Sequence, residues 1–386
     1  MERTDRINHK LPYLLLALSL GVHFCLFYFF GVRDQFVDSR RYIEMADFVI
    51  SNGRLEFFYQ IFYAIPILLL ALFRTVFRDG LIAFVVFQSM LSTVAAFFLY
   101  RSGAKLFDDA RAGYFAAAIF LLWLDCIQWN TTIMTESIAS SLICFTIYRL
   151  VIFRRTTKDY VVLLLLLILS VMTRPTGVLS MVGVTFFLLS HYRDALRQNI
   201  PLRFSLLLFL SLAFISGGYL MLNEWDFTDQ YVKGNVVTYM DVIEGQPHYH
   251  ESLRLDTTGI ALPDASKSPV RKILFFIIEN PVQFGKAAVL KVFYLISFYR
   301  PYFSTMHNTY TVAWLALVYF LFYFGFRSVG NPMRSYCLAV IIANCLLVAI
   351  SAVDWDNRFY LPMQPAIALL AGGGGVFFVQ ARHPEA

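Results

Sequence analysis

The chain has 386 residues, of which 58% are hydrophobic, 17% aromatic and 15% charged, and its formal net charge is +6. Soluble proteins usually contain about 25% charged residues, so this composition excludes a disordered chain and argues against one soluble domain. The mean hydropathy of +0.61 favours a membrane as the surrounding medium.

Ten apolar segments predict membrane-spanning helices. A helix needs roughly 17–25 apolar residues to cross the bilayer core, and the first segment, 11–30, has this length. We therefore expect an all-α polytopic membrane protein, with about ten transmembrane helices in one integral membrane domain, residues 1–386. The predicted spans are 11–30, 81–99, 113–129, 137–153, 159–174, 177–192, 204–222, 311–326, 335–352 and 361–379.

Two long segments interrupt this series, 31–80 and 223–310, and each contains a half-apolar part, 57–77 and 270–298. Lys and Arg collect in short cytoplasmic loops. If 57–77 does not cross, the short loops with most of these residues are all cytoplasmic; if it crosses, they all become external. We therefore predict juxtamembrane helices at 57–77 and 270–298, within a first and a second external loop, and both termini in the cytoplasm.

The pI near 9.0 would by itself suit a nucleic-acid-binding protein. In a membrane protein, however, a basic excess first reports topology. Acidic residues outnumber basic ones over 223–269, in the second external loop. The sequence therefore predicts membrane lipids as partners and no nucleic acid.

Arg174 is a charged residue at an unusual depth. It lies 16 residues after Lys158, a predicted cytoplasmic anchor, which corresponds to about 24 Å of helix. Because the hydrocarbon core is about 30 Å thick, Arg174 should lie below the outer surface, in a cavity open to the outside. A charge at that depth is expensive unless paired or hydrated, so it indicates a functional site. The alternative is that Arg174 caps carbonyls exposed by Pro175.

Two acidic residues are candidates for the same outer cavity. Glu136, in the segment IMTES, stands at the outer start of a predicted span. It is either functional or, with Thr135, a cap of that helix, whose N-terminus favours negative charge. Asp125 lies near the outer end of the preceding span.

The segment DWDNRFYLP precedes the last predicted span and contains Arg358 and Tyr360. Arg358 is external, against the charge rule, which makes it a candidate anion ligand, because a guanidinium holds phosphate through two parallel donors. Pairing of Arg358 with Asp354 or Asp356 is the alternative.

The first external loop contains Asp38, Arg41 and Tyr42, which lie on neighbouring turns if the segment is helical. A carboxylate just above the membrane can accept a proton from an acceptor hydroxyl. By composition alone, the other acidic residues are equal contenders: Asp34, Glu44 and Asp47.

Gly372–Gly375 looks superficially like a phosphate-binding loop, but it lies inside the last apolar segment and lacks the following Lys-Ser/Thr. We therefore predict close helix packing at these glycines.

Five short motifs in order resemble the GT-C superfamily of polyprenyl-phosphate-sugar-dependent glycosyltransferases. The resemblance is greatest to the bacterial branch that is similar to protein O-mannosyltransferases and aminoarabinose-lipid A transferases, and it covers nearly the whole chain. The motifs are DSRRYIEMA followed by NG, an apolar helix with Pro66, MTES at 134–137, TRPTG at 173–177 and NRFYLPMQP at 357–365.

The resemblance implies that Asp38 is the catalytic base, and that Arg174 and Arg358, with Lys286 or Lys291, hold the donor phosphate. The expected reaction moves a sugar from a polyprenyl phosphate to a lipid, glycan or protein acceptor, with inversion, at the external face of a bacterial inner membrane. The expected acceptor or cavity residues are Glu136, Arg41, Tyr42, Asp125 and Tyr360.

We expect no cofactor and no metal ligands, because the first external loop lacks the adjacent Asp-Glu pair of protein mannosyltransferases; a divalent metal stays an alternative. Two other functions stay open. One is a flippase or transporter of lipid-linked sugar, and the other is a polymerase or ligase of surface polysaccharide.

Overall fold

The structure is a computed structural model that describes residues 2–198, 226–240 and 253–382. The described residues form helices, turns and three isolated bridges, without a β-strand. The predicted span 204–222 lies outside the described residues. Each of the other predicted spans coincides with a helix or, for 113–129, with a bent pair of helices.

Sixteen α-helices are labelled here in chain order, within the described residues. They are α1 Glu2–Phe30, α2 Val37–Asn52, α3 Ala64–Val76, α4 Gly80–Leu106, α5 Ala110–Leu122, α6 Leu124–Ile127, α7 Glu136–Val151, α8 Thr157–Thr173, α9 Val178–His191, α10 Arg193–Gln198, α11 Thr228–Val232, α12 Pro269–Glu279, α13 Pro281–Ser297, α14 Thr305–Ser328, α15 Asn331–Ile350 and α16 Gln364–Arg382. The short 3₁₀ helices are Phe58–Tyr63, Gln128–Thr131, Pro175–Gly177 and Arg358–Tyr360.

Five described helices have the length and hydropathy of a membrane span, and two bent pairs raise this number to as many as seven. The five are Lys10–Phe30, Phe58–Val76, Gly80–Leu106, Thr305–Ser328 and Asn331–Ile350. These helices support a multi-pass membrane protein, while the total of about ten spans stays a prediction.

The segment Phe58–Val76 is among these candidates, although the charge pattern predicts that it does not cross. Val32 and Asp34, at the start of the first external loop, line one cavity together with Asp79 and Ile82, at its end. The loop therefore begins and returns at the same place. The juxtamembrane placement of this segment stays a prediction, because its length and hydropathy also suit a membrane span.

The second half-apolar segment is sharply bent. The axes of α12 and α13 differ by 107°. Asn280 stands at the bend, where its side chain accepts a hydrogen bond from the backbone N–H of Ala261 at 2.8 Å and donates one to its carbonyl at 3.0 Å. A bend of this size does not fit one straight span but suits a broken span or a re-entrant loop, so the placement along the interface stays a prediction.

The chain divides into two compact units. The first comprises Met1–Phe187, Leu317–Val340 and Leu361–Ala386, and the second comprises Leu188–Ala316 and Ile341–Tyr360. The sequence led us to expect one domain over residues 1–386. This expectation stays a prediction.

Local sequence explains the ends of α8, which positions Arg174. Thr156 and Asp159 form a reciprocal capping box at its start, and Asp159 also pairs with Arg149 of α7. The helix ends at Thr173, since Pro175 removes a backbone donor and disfavours helix in the residue before it. Its 17 residues span about 26 Å, which is shorter than a bilayer core.

Glycines in α14 and α16 allow two helices of the first unit to touch. A Cβ on Gly325 would lie 1.7 Å from the carbonyl oxygen of Leu370, and one on Gly374 would lie 1.9 Å from that of Leu321. In the same way, a Cβ on Gly372 would lie 2.5 Å from the carbonyl oxygen of Ala112. Contacts this short need residues without a side chain, as predicted for the glycine run of α16.

Gly325→Ala should therefore destabilise the first unit. The added methyl overlaps backbone, which does not move as a flexible side chain does, and overpacking of this kind costs about 1–3 kcal/mol. The measurement is the melting temperature of the purified protein in detergent. The control is Gly21→Ala in α1, where a Cβ meets nothing within 4 Å; equal melting temperatures for the two variants would contradict this account of the packing.

Candidate functional site

The candidate base, Asp38, lies on a helix. This is the condition under which the sequence predicts that Asp38, Arg41 and Tyr42 lie on neighbouring turns. Asp38 is in the first turn of α2, and its carboxylate pairs with the guanidinium of Arg41 at 3.2 Å, one turn later. The side chain of Asp38 is 15% exposed and that of Arg41 is 46% exposed. The pair therefore keeps a negative carboxylate accessible beside one cation.

Tyr42 follows on the buried face of α2 and packs against Tyr63, with ring centroids 5.6 Å apart. Burial raises the pKa of the Tyr42 phenol above its ordinary value, and the neighbouring Tyr63, Glu136 and Asp38 raise it further. Tyr42 is therefore a neutral hydroxyl at physiological pH, able to donate and accept hydrogen bonds.

Glu136 and Arg174 form a buried ion pair in the first unit. Glu136 is the first residue of α7, and Arg174 follows the last residue of α8. Their closest side-chain atoms, Oε1 and Nη1, are 2.6 Å apart, and both side chains are at most 9% exposed. The hydroxyl of Thr135 donates to the other carboxylate oxygen at 3.2 Å. The backbone N–H of Arg174 continues the helical pattern by donating to Ser170.

These groups converge around Tyr63. Its phenol interacts electrostatically with Asp38 and Arg41 from α2, and with Glu136 and Arg174 from α7 and α8. The contacts between elements agree, because α2 packs on α3, and both α3 and the 3₁₀ helix before it pack on α8. The structure thus gathers the candidate base, two tyrosines and a buried ion pair, called here the outer polar cluster.

Arg358 lies in the second unit and pairs with Asp354. Its Nε is 2.6 Å from the carboxylate, which is fully buried and also accepts a hydrogen bond from the Thr238 hydroxyl at 2.8 Å. Although burial would raise the pKa of Asp354, Arg358 keeps it below the ordinary value. The pairing alternative raised from the sequence is therefore the one observed, with Asp354 as the partner.

Asp356 differs from Asp354 in its protonation. Burial, followed by the neighbouring charge of Asp354, raises the pKa of Asp356 well above its ordinary value. The two carboxyl groups thus share one negative charge, which Arg358 balances.

The two lysines expected at the phosphate differ in exposure. Lys291 is fully buried in α13, where its ammonium donates to the carbonyl of Ser351 at 2.8 Å and lies 3.4 Å from the centroid of the Tyr231 ring. Lys286 is exposed and interacts with Asp256. In this arrangement Lys291 binds the protein itself, and a phosphate-binding role for either lysine stays a prediction.

The remaining predicted residues are buried elsewhere. Tyr360 packs its ring on Phe298 with centroids 4.5 Å apart, in the second unit. Asp125 is buried on α6, in the first unit. Its place in the outer cavity stays a prediction, as does the sharing of one phosphate by Arg174 and Arg358.

Two functional candidates were missed from the sequence. Tyr63 lies in a segment that reads as apolar, and nothing in its spacing distinguishes it from nearby tyrosines. Arg300 is fully buried in the second unit and donates to the carbonyl of Asp354 at 2.8 Å. Its signal was available, because it is an arginine at the end of an apolar helix. Among the described residues, no group of three metal-ligating side chains occurs.

Comparison with known proteins supports the glycosyltransferase resemblance over part of the chain. Residues 65–216 match the family model described as dolichyl-phosphate-mannose-protein mannosyltransferase. The match covers less than half of the chain; it includes Glu136 and Arg174, whereas Asp38 and Arg358 lie outside it. No curated protein matches the chain. The family match supports a membrane glycosyltransferase, with a lipid-linked sugar as its donor.

The protonated Asp356 predicts a pH dependence of stability. The folded protein holds this proton more tightly than the unfolded chain, so the stability it provides is complete at low pH and is lost as the pH rises through the raised pKa. Each unit of pKa difference corresponds to about 1.4 kcal/mol. Asp356→Asn, which stays neutral, should therefore lose less stability than the wild type between acidic and alkaline pH.

The measurement is the melting temperature as a function of pH. Asp229→Asn, which replaces an exposed carboxylate of the same unit, is the control and should follow the wild-type profile. If Asp356→Asn also followed that profile, the assignment of the proton to Asp356 would be wrong.

Proposed function

We propose that the protein is an integral membrane glycosyltransferase that moves a sugar from a polyprenyl monophosphate to a hydroxyl acceptor on the external side of a bacterial plasma membrane. The observation that carries this proposal is the outer polar cluster. It combines a carboxylate beside a cation with a buried arginine, and the proposed transfer uses one group of each kind.

Asp38 acts as the general base in this proposal. Its carboxylate accepts the proton of the acceptor hydroxyl while the oxygen attacks the anomeric carbon of the sugar. The bond between that carbon and the phosphate oxygen breaks, and the phosphate leaves with the electron pair. Attack from the face opposite the phosphate inverts the anomeric configuration. The guanidinium of Arg41 lies 3.2 Å from this carboxylate.

Arg174 stabilises the leaving phosphate. The charge on the phosphate grows as the sugar departs, and a fixed cation in a site with little water is most effective against such a charge. The burial of Arg174 supports this role, since its side chain is 9% exposed. Tyr63 interacts electrostatically with Asp38 and Arg174, and Tyr42 packs on Tyr63. In this proposal the two phenols position donor and acceptor. Arg358 is a second proposed phosphate ligand.

The family match supports the reaction class and the donor class. It covers the part of the chain that contains Glu136 and Arg174. The acceptor class stays as wide as lipid, glycan or protein. A panel of polyprenyl-phosphate sugars, supplied to the purified protein, identifies the donor by its consumption.

Asp38→Asn should abolish this transfer, because the amide does not accept the proton. Loss of a general base lowers the rate by roughly 10²–10⁴. The measurement is turnover of the donor found in the panel, together with binding of the same donor lipid, which the isosteric substitution should preserve.

Glu44→Gln is the matched control. Glu44 lies on the same helix and is exposed. The Glu44→Gln variant should transfer sugar at the wild-type rate. Wild-type turnover in Asp38→Asn would refute the assignment of the base, and loss of turnover in both variants would point to a structural role of α2 instead.

A further inference from the structure

A narrow cavity lies beside the ion pair of Glu136 and Arg174, in the first unit. Its wall includes the hydroxyl residues Ser140, Ser170 and Thr176. Its free volume is ≈ 10 Å³, the room of about one water molecule. A phosphate group is several times larger. As the structure stands, the cavity therefore holds no lipid phosphate unless a side chain moves.

The position of Glu136 is one that suits an anion. The first turn of a helix presents backbone N–H groups without helical partners, and the helix dipole adds positive potential there. Glu136 opens the 16-residue helix α7, and Arg174 brings a full positive charge to the same point. In this structure the carboxylate of Glu136 lies at this helix end and pairs with Arg174.

Ser140 supplies an independent indication of a ligand. It is one turn after Glu136 on α7, is 4% exposed and lines the cavity. Its hydroxyl has no hydrogen-bond partner in the described part of the chain. By contrast, the hydroxyl of Ser141 donates to the carbonyl of Ser137 at 2.8 Å, and that of Ser170 donates to Leu166 at 2.7 Å. A buried hydroxyl without a partner is uncommon in proteins, so it needs an explanation.

We propose that Glu136 is an internal substitute for the donor phosphate. The phosphate monoester of the polyprenyl donor displaces the Glu136 carboxylate from Arg174 and accepts hydrogen bonds from the guanidinium and from the hydroxyl of Ser140. This inference rests on the proposed function and assigns to Ser140 a role in binding the donor. Displacement of the Glu136 carboxylate also enlarges the cavity, because the phosphate then occupies the space that the carboxylate leaves.

The exchange keeps the positive charge of Arg174 paired with an anion throughout. The displaced Glu136 carboxylate turns away from the phosphate and keeps the hydrogen bond from the Thr135 hydroxyl. Arg174 keeps an anionic partner before and after binding, so the guanidinium is never buried alone, which would be strongly unfavourable. A phosphate offers more charge and more acceptor oxygens than a carboxylate, and its oxygens match the planar donors of arginine. A polyprenol without phosphate does not compete for Arg174, so the exchange also selects for the charged lipid.

The test measures binding of a polyprenyl monophosphate without sugar to the full-length protein in detergent, with the matched polyprenol as the ligand control. Glu136→Gln removes the competing charge, so it should lower the melting temperature of the ligand-free protein and bind the phosphate roughly tenfold more tightly. This factor corresponds to a binding-competent state that is populated about one part in ten in the wild type.

Ser140→Ala is a second variant for the same binding measurement, since it leaves the ion pair of Glu136 and Arg174 intact. It should weaken binding of the phosphate several-fold without a comparable loss of melting temperature. The matched control is Ser141→Ala, an identical change at the next residue, where the hydroxyl serves the helix itself. Asp159→Asn is the control for Glu136→Gln, because it removes a buried carboxylate paired with arginine at the other end of α7. Both controls should bind the phosphate as the wild type does.

The outcomes separate this inference from the proposed function. If the wild type binds the phosphate and Glu136→Gln binds it no more tightly, the ion pair is a permanent structural contact and the inference is overturned. If the wild type and Glu136→Gln both bind the polyprenyl monophosphate no more tightly than the polyprenol, the proposed monophosphate donor is overturned as well. Tighter binding in Glu136→Gln without transfer from any donor supports the substitution but overturns the proposed enzyme.

Discussion

The ion pair between Glu136 and Arg174 is the contact on which the arrangement of the outer polar cluster depends. Each charge lies at the helix end whose dipole favours it, the carboxylate at the N-terminus of α7 and the guanidinium at the C-terminus of α8. Burial makes the pair obligatory, since removing one partner of such a pair costs about 3–5 kcal/mol. The two helix ends are therefore fixed against each other below the first external loop.

A polar network holds the same region from the other side. The Asn130 amide and the Nε2 atom of His23 are 2.9 Å apart, and Gln88 donates to the carbonyl of Thr132 at 2.9 Å. The hydroxyl of Ser137 donates a hydrogen bond to the carbonyl of Gln88 at 3.3 Å. This network joins α1 and α4 to the segment that leads into Glu136. Polar bonds inside an apolar bundle restrict register more strongly than apolar packing does, so the start of α7 is well defined.

Individual residues show which features of the site could be predicted from the sequence. The helix around Asp38 followed from its spacing. Arg174 directly follows the end of α8, in agreement with the count of residues back to Lys158, while its depth in a membrane stays a prediction. The partner of Arg358 did not follow, since Asp354 and Asp356 both lie within four residues of it and the sequence left the choice between them open. Tyr63 was missed because an apolar run gives no sign of which ring lies beside a charge.

By itself, the sequence determined that this is a helical membrane protein and which of its segments are helices, and it identified the charges that stand at unusual positions beside apolar segments. These properties follow from local composition and from the cost of burying charge. The tertiary structure decided which charges meet. Glu136 pairs with Arg174, Arg358 pairs with Asp354, and Ser140 keeps a hydroxyl without a partner in the described part of the chain. The pairing of Glu136 with Arg174 depends on how α7 and α8 meet, and the pairing of Arg358 with Asp354 depends on the local course of the backbone. Residue spacing alone decides neither.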